Sequence, residues 1–357
     1  MSAEENKINE EIEAAEVTET VESAEETATS EAAAVVEEKG LKKFIKERQE
    51  YVPTTTTGIY IKRYWQLYVL LIIPIIYFCI FKYSPMYYVL IAFKKYSIVQ
   101  KVSEMPWAKN HGFEYFIKAF KNKDFIYALR NTITLNLLDI ILGFPVPIIF
   151  ALLLNELRFK FFKKSVQTIA YMPHFLSWVI IYGLALQLFA PANGFINILV
   201  KNAGGQTIHF LDDAKTWVWT YIGLGIWQSF GWNSIIYLAA ISGISPELYE
   251  AASVDGANRW QKMWHITLPC IRPTIVVLLI LALGNVLGSN FDRPFALQND
   301  LVMKNAEVIS TFVYKYGIKG LQFSLTTAVG LFQSIVNVIF LLLANWFSRK
   351  MGERGIM

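Results

Sequence analysis

The chain has 357 residues, of which 54% are hydrophobic, 15% aromatic and 17% charged, with a formal net charge of +4. Soluble globular domains carry roughly a quarter charged residues, so this balance excludes an ordinary soluble domain and suits a polytopic membrane protein with modest loops. The two cysteines, Cys79 and Cys270, lie in or beside apolar runs without a CxxC or Cys/His cluster, which supports neither a disulfide framework nor a zinc site.

The chain begins with an acidic tail. Residues 1–40 hold thirteen Glu and two Lys, a net of −11 against a total of +4, so the rest carries +15. Such a segment, padded with Ala, Thr and Ser and lacking aromatics, is expected to be disordered. It has no basic stretch followed by an apolar core and does not read as a signal peptide. Residues 41–63 form a basic juxtamembrane segment, with Lys42, Lys43, Lys46, Arg48, Lys62 and Arg63.

Six apolar runs follow, near 65–81, 132–154, 166–190, 216–242, 270–289 and 325–347, each long enough to be read as a spanning helix. The predicted architecture is an all-α integral membrane protein with six transmembrane helices. Lys and Arg set orientation through short loops near the membrane. The loop after the second run carries Arg158, Lys160, Lys163 and Lys164; the C-terminal stretch carries Arg349, Lys350 and Arg354. With the basic segment before the first run, they predict both termini inside. The Lys-rich loop 82–130 runs against a simple count, but long loops weigh little in this rule. The external loops contain SPMYYVLIAFKKYSI, PANGFIN, FDRPFAL and VYKYGIKG. Aromatic, Gly/Pro-rich loops of this length are expected to fold onto one another, either as simple packing or as a docking surface or vestibule.

Polar residues mark the runs: Asn136 and Asp139 in the second, Gln187 in the third, Gln333, Asn337 and Asn345 in the sixth. The fourth holds Trp227, Gln228, Trp232, Asn233 and Tyr237, with Gly223, Gly225 and Gly231 close by; the fifth holds Asn285, Ser289 and Asn290, followed by Asp292 and Arg293. Amides and aromatics together suit a neutral, hydroxyl-rich solute, with hydrogen bonds for its OH groups and flat faces for its C–H surfaces. Trp227, Gln228, Trp232, Asn233, Tyr237, Asn285 and Asn290 are therefore the candidates for a substrate path. Amides that glue helices together are the alternative. Asp139 is nearly alone as an intramembrane carboxylate, which disfavours an ion- or proton-coupled secondary transporter, the competing reading. The scattered histidines His111, His174, His209 and His265 suggest no catalytic constellation.

Between the fourth and fifth runs lies a charged insert. Ser245-Pro246-Glu247 starts a helix: Ser at the N-cap, Pro at the first position, an acid beside the positive end of the dipole. Gly256 supplies the left-handed conformation that ends it, and a second short helix is predicted from Ala257 to about Ile266. Pro269 and Pro273 bracket the start of the fifth run. The result is a helix–Gly–helix elbow over 245–269, presenting the small residues Ala251 and Ala252 beside Glu247 and Glu250. It reads either as a docking element or as an ordinary interfacial connector.

Glu250-Ala251-Ala252, then Gly256, then Ile266-x-Leu268-Pro269, resembles the EAA signature of type I ABC importer permeases. The likeness extends from about 60 to 350 through NTITLNLLDIILGFPVPIIFALLLNEL, MPHFLSW and ITLPCIRPTI. It points to the carbohydrate, maltose-permease-like superfamily and to its branch of oligosaccharide and polysaccharide permeases. The resemblance implies a type I permease fold over 64–350 with its core at about 128–347, in a cell membrane. It implies that Glu250, Ala251, Ala252, Gly256, Ile266, Leu268 and Pro269 form the coupling loop that meets cytoplasmic ATPase subunits. It also implies a second, homologous permease (a heterodimer), an extracellular solute-binding protein and a carbohydrate substrate, with no nucleic acid. The chain has no G-x-x-x-x-G-K-[ST] phosphate loop, so ATP and Mg would be bound by the partner ATPase and no cofactor by this chain. The Glu/Ala-rich tail falls outside the family pattern, and residues 351–357 are read as a cytoplasmic C-terminal tail.

Overall fold

The computed structural model describes residues 61–350 and 352, apart from Ser289. The acidic tail, nearly all of the basic segment, Ser289 and Arg354 lie outside the described residues. The chain divides into two compact units, Met1–Lys82 and Tyr83–Met357. Among the described residues the structure is helical and irregular, with one isolated bridge, Lys94 to Trp107, in place of any strand.

Eight helices organise it: α1 (Trp65–Phe93), α2 (Lys123–Asn155), α3 (Lys160–Phe175), α4 (Trp178–Phe189), α5 (Ala214–Ser242), α6 (Pro246–Val254), α7 (Arg259–Gly284) and α8 (Phe323–Lys350). Among the described residues, α1, α2, α7 and α8 are long and apolar enough to cross a membrane, and α3 with α4 makes a fifth candidate. The third run is thus not one straight span. Its two helices are bent by 104°, because Pro173 sits in a tight 3-10 turn at Met172–Phe175 and the Ser177 hydroxyl then caps α4 by accepting the Ile180 N–H at 3.4 Å. Helix α5 is 29 residues long but not uniformly apolar, since Trp, Tyr, Thr, Gln and Asn are spread along it.

Three of the prolines in the helices are accommodated in the same way. Wide π turns occur at Cys79–Tyr83, Asp139–Gly143 and Met263–Thr267, and each ends two residues before a proline: Pro85, Pro145 and Pro269. A proline within a helix cannot donate to the carbonyl four residues back and clashes with it. An extra residue in that turn moves the carbonyl aside, which lets the helix continue.

Within the second unit, α2 packs along α5, and α7 along α8. One buried cluster joins α4, α5 and the loop 297–308 through Trp178, Ile181, Trp217, Ile222 and Val302. Another joins Phe125 and Ala128 of α2 to Phe312, Leu325 and Val329. A third, near the elbow, gathers Ala151, Tyr237, Ile241, Met263 and Ile271. The loops do fold onto one another. The Ser324 hydroxyl accepts the Tyr96 N–H at 3.0 Å and donates to the Lys94 carbonyl at 2.8 Å, and Asn299 donates to the Leu211 carbonyl at 2.9 Å, while the helices reach the same loops through Asn131, which donates to the carbonyls of Lys304 and Glu307, and the Trp217 indole, which donates to Leu297.

Helix α7 stops at Gly284, short of the predicted 289, and the chain turns through buried Val286 and Leu287. Three amides from other helices satisfy that unwound backbone: Asn136 donates to the Val286 carbonyl (2.7 Å), Gln333 to the Leu287 carbonyl (2.6 Å), and Asn337 accepts the Leu287 N–H (3.0 Å). Backbone groups without water need such partners, so these three polar marks are helix glue.

Candidate functional site

The elbow forms as its punctuation dictates, with one correction. Helix α6 begins at Pro246 after Ser245, although the Ser245 side chain makes no capping bond. It ends in a Schellman arrangement: the Gly256 N–H reaches the Ser253 carbonyl (3.2 Å) and the Ala257 N–H reaches Ala252 (2.9 Å), with Gly256 at φ +78°. Two residues later Asn258 opens α7 with a reciprocal capping box, its Oδ1 accepting the Gln261 N–H at 2.9 Å while Gln261 accepts the Asn258 N–H at 2.7 Å. The second elbow helix does not stop near Ile266; it continues through the π turn at Met263–Thr267 to Gly284. The elbow therefore has one free arm, α6, attached to the end of a long helix.

That arm is braced. The Tyr249 hydroxyl meets Thr267 Oγ1 at 2.9 Å, and Lys262 Nζ donates to Ser253 Oγ at 2.6 Å. Both bonds tie α6 to the base of α7 and fix the angle between them. The face turned outward holds Glu250, Ala251 and Gly256, with Ala252 half-buried. Leu248, Val254, Trp260 and Trp264 are exposed nearby. Ile266 and Leu268 are half-buried and Pro269 is exposed where α7 leaves the π turn. The motif residues thus divide into a presented set, Glu250 to Gly256, and a structural set, Ile266 to Pro269.

The seven substrate-path candidates do not share one surface. At 100° per residue those of α5 ring the helix. Trp227 borders an apolar groove of about 670 Å³ between α4 and α5, with Leu184, Leu188, Phe210 and Trp219. Gln228 donates to the His174 carbonyl at 3.2 Å and Trp232 stacks on the His174 ring at 4.6 Å, so both hold the 3-10 turn between α3 and α4. Asn233 and Tyr237 line a separate, polar cavity of about 350 Å³. Asn285 lies in the turn after α7, and Asn290 accepts the Asp292 N–H at 3.2 Å; both are exposed.

The polar cavity contains a feature that pattern reading missed. Asp139, at the start of the π turn in α2, is not alone: Arg293, 154 residues away, places Nη1 2.7 Å and Nη2 3.3 Å from its two oxygens. The guanidinium lies 3.7 Å over the Tyr221 ring and 5.5 Å from that of Trp178, and Nη2 also donates to the Tyr221 carbonyl. Any side chain at Gly225 would collide with it. Asp139 stood out in the sequence as a carboxylate inside an apolar run and Arg293 as a charge just past one, but nothing local pairs them.

The family of binding-protein-dependent transport system inner membrane components matches residues 143–353. The chain is 43% identical to Protein LplB of Bacillus subtilis, over 87% of this chain and 98% of that protein. It is 45% identical to the polygalacturonan/rhamnogalacturonan transport system permease protein YteP of the same species, over 81% and 89%. Among solved structures it is similar to a chain of a bacterial alginate ABC transporter in complex with an alginate pentasaccharide-bound periplasmic protein: 41% identity, TM-score 0.76, covering 84% of this chain and 99% of that one. The helical membrane fold and these matches agree: the chain belongs to the binding-protein-dependent transport system inner membrane components, as a permease subunit of an ABC importer and not an enzyme.

Proposed function

We propose that this permease carries a carbohydrate, an oligosaccharide or polysaccharide fragment, by alternating access driven by separate ATPase subunits. The observation that carries the reading is the likeness, over more than four fifths of the chain, to permeases named for polygalacturonan/rhamnogalacturonan and to the alginate transporter. The smaller cavity sets the Ser229 hydroxyl, the Asn233 amide, the Tyr237 and Phe144 rings and the Asp139–Arg293 pair among apolar side chains, a mixed lining that suits a sugar's hydroxyls and C–H faces.

The finer features follow from this reading. Six crossings result when α5, about 43 Å long at 1.5 Å per residue, and the bent α3–α4 pair are counted with the four apolar helices. The basic residues around 158–164 and at Arg349 and Lys350 favour both termini inside, with the elbow on the same side. There Glu250, Ala251, Ala252 and Gly256 would meet an ATPase subunit: small side chains allow close approach, and Glu250 offers a carboxylate to a basic group. A second permease completes the path and an external solute-binding protein delivers the glycan. ATP and Mg belong to the ATPase pair, whose closure switches the permease between two states. Of the sequence candidates, Asn233 and Tyr237 are best placed to touch the solute, and Trp227 borders the apolar groove.

The test is co-purification of the chain with its ATPase and permease partners, followed by reconstitution. Glu250→Lys is expected to abolish glycan-stimulated ATP hydrolysis while leaving the permease folded. Unchanged stimulation would remove the coupling assignment.

A further inference from the structure

Helix α3 carries its charges at one end. Residues 158–164 include Arg158, Lys160, Lys163 and Lys164, and no Lys, Arg, Asp or Glu follows until Lys201. Arg158, Lys160 and Lys164 are exposed. The ion pairs among the described residues lie elsewhere, so no carboxylate among them neutralises these cations. Large apolar side chains stand open beside them: Phe161 is 86% exposed, Phe162 55% and Ile169 68%. At 100° per residue these three fall within an arc of about 100°, Lys160 and Lys164 flank one edge of it, and buried Ala170 faces the other way. On that opposite face α3 is fixed to α5: a side chain at Gly231 would collide with the Ala170 carbonyl, and Gln228 and Trp232 hold His174. With the 104° bend to α4, this leaves the Phe–Ile stripe turned away from α5.

We propose that the start of α3 is a binding site for an anionic phospholipid: the phosphate-bearing headgroup meets Arg158, Lys160 and Lys164, and the acyl chains lie along Phe161, Phe162 and Ile169. The ligand's chemistry follows from the two halves of this surface. A helix with Phe and aliphatic side chains on one face and Lys or Arg beside them sits at the boundary between headgroups and acyl chains. A cluster of cations at a membrane surface favours anionic headgroups. A soluble anion would satisfy the cations and leave the apolar stripe uncovered; a zwitterionic lipid would cover the stripe and leave the cations without net counter-charge. An anionic lipid answers both. The other end of α3 is held by Gln228 and Trp232, next to Asn233 of the polar cavity, so the lipid anchors the free end of a helix whose fixed end borders that cavity.

The experiment titrates the assembled permease–ATPase complex, containing the full chain in a neutral detergent, with phosphatidylglycerol or phosphatidylcholine bearing the same photoactivatable acyl chain. Cross-links are mapped to residues 158–172 by mass spectrometry. In the wild type, phosphatidylglycerol is expected to label this stretch at about tenfold lower concentration than phosphatidylcholine, since each cation near the headgroups contributes about fivefold. Arg158→Gln/Lys160→Gln/Lys164→Gln is expected to shrink that preference to less than about threefold, whereas Arg349→Gln/Lys350→Gln, on α8, leaves it unchanged. Phe161→Gln/Ile169→Gln is expected to weaken labelling by both lipids alike. Should the triple variant melt earlier than the wild type, Lys160→Gln/Lys164→Gln supplies the same comparison with less perturbation. Equal labelling by the two lipids, or a preference unchanged in the charge variants, overturns the proposal. So does suppression of labelling by inorganic phosphate at the lipid's own concentration, which would make this a plain anion site. If the chain's acidic tail covers the cations, or the second permease covers the stripe, phosphatidylglycerol fails to label this stretch in the wild type, and the proposal falls.

Discussion

Replacing Gly256 perturbs the elbow at a point where only backbone conformation is at stake. A side chain there would meet no atom within 4 Å, so no clash is introduced, yet the residue holds φ at +78°. The left-handed conformation costs an ordinary L residue about 1–2 kcal/mol, and less for Asn, whose side chain bonds locally. The Schellman bonds of the Gly256 and Ala257 N–H groups are the first lost when the turn opens. A cost of about 1.4 kcal/mol is a tenfold change in an equilibrium. In Gly256→Val the Ala257 amide is therefore expected to exchange its hydrogen about tenfold faster than in the wild type, with Gly256→Ala intermediate and Gly256→Asn close to wild type. Glycan-stimulated ATP hydrolysis by the reconstituted transporter is expected to fall in the same order. The reasoning is refuted if Gly256→Val exchanges as slowly as the wild type, or if Asn is as damaging as Val, since either result would separate function from the cost of positive φ.

Tyr249→Phe removes the 2.9 Å bond to Thr267 and is expected to cost about 0.5–1.5 kcal/mol of elbow stability, read as faster exchange across 248–257 with little change elsewhere. Asn337→Leu leaves the fully buried Leu287 N–H without its acceptor and is expected to destabilise the protein by about 1–3 kcal/mol, measured by thermal denaturation in detergent; a neutral result would mean that water reaches this turn. Asn258→Ala removes the capping box and is expected to fray the first turn of α7 at about 0.5–2 kcal/mol, seen as lost amide protection at Gln261. Burial pushes the Glu307 carboxyl above its ordinary range, with Lys315 opposing at 3.3 Å. The folded state therefore holds that proton more tightly than the unfolded state. Its contribution to stability is full below the ordinary Glu pKa of about 4.3 and is lost as pH rises through the higher folded value. Glu307→Gln is expected to flatten that part of the stability–pH profile, and an unchanged slope would assign it to another group.

Local chemistry determined much of this protein. Runs of apolar residues set the helices, because a backbone without water must bond to itself. Ser245-Pro246, Gly256 and Asn258 set the elbow, because caps and positive φ are decided by neighbours a few residues away. The EAA pattern was legible as a family resemblance, because its residues from Glu250 to Pro269 lie within one short stretch of chain. The break at Pro173 and the capping box at Asn258 were written there as well, but the strong apolar pattern around them hid the first and the elbow glycine overshadowed the second.

Tertiary structure alone decided what the polar residues of the bundle do. Asn136, Gln333 and Asn337 serve a turn at Val286–Leu287 that is up to 150 residues away. Gln228 and Trp232 hold the α3–α4 turn, whereas Asn233, one residue further on, faces the polar cavity. Helical geometry turns each successive side chain by 100°, so neighbours in sequence face different partners, and the choice of partner depends on helices that come together only in the fold. The Asp139–Arg293 pair is the clearest case: the sequence supplied one charge inside an apolar run and another just past a later one, and folding closed 154 residues to a 2.7 Å contact.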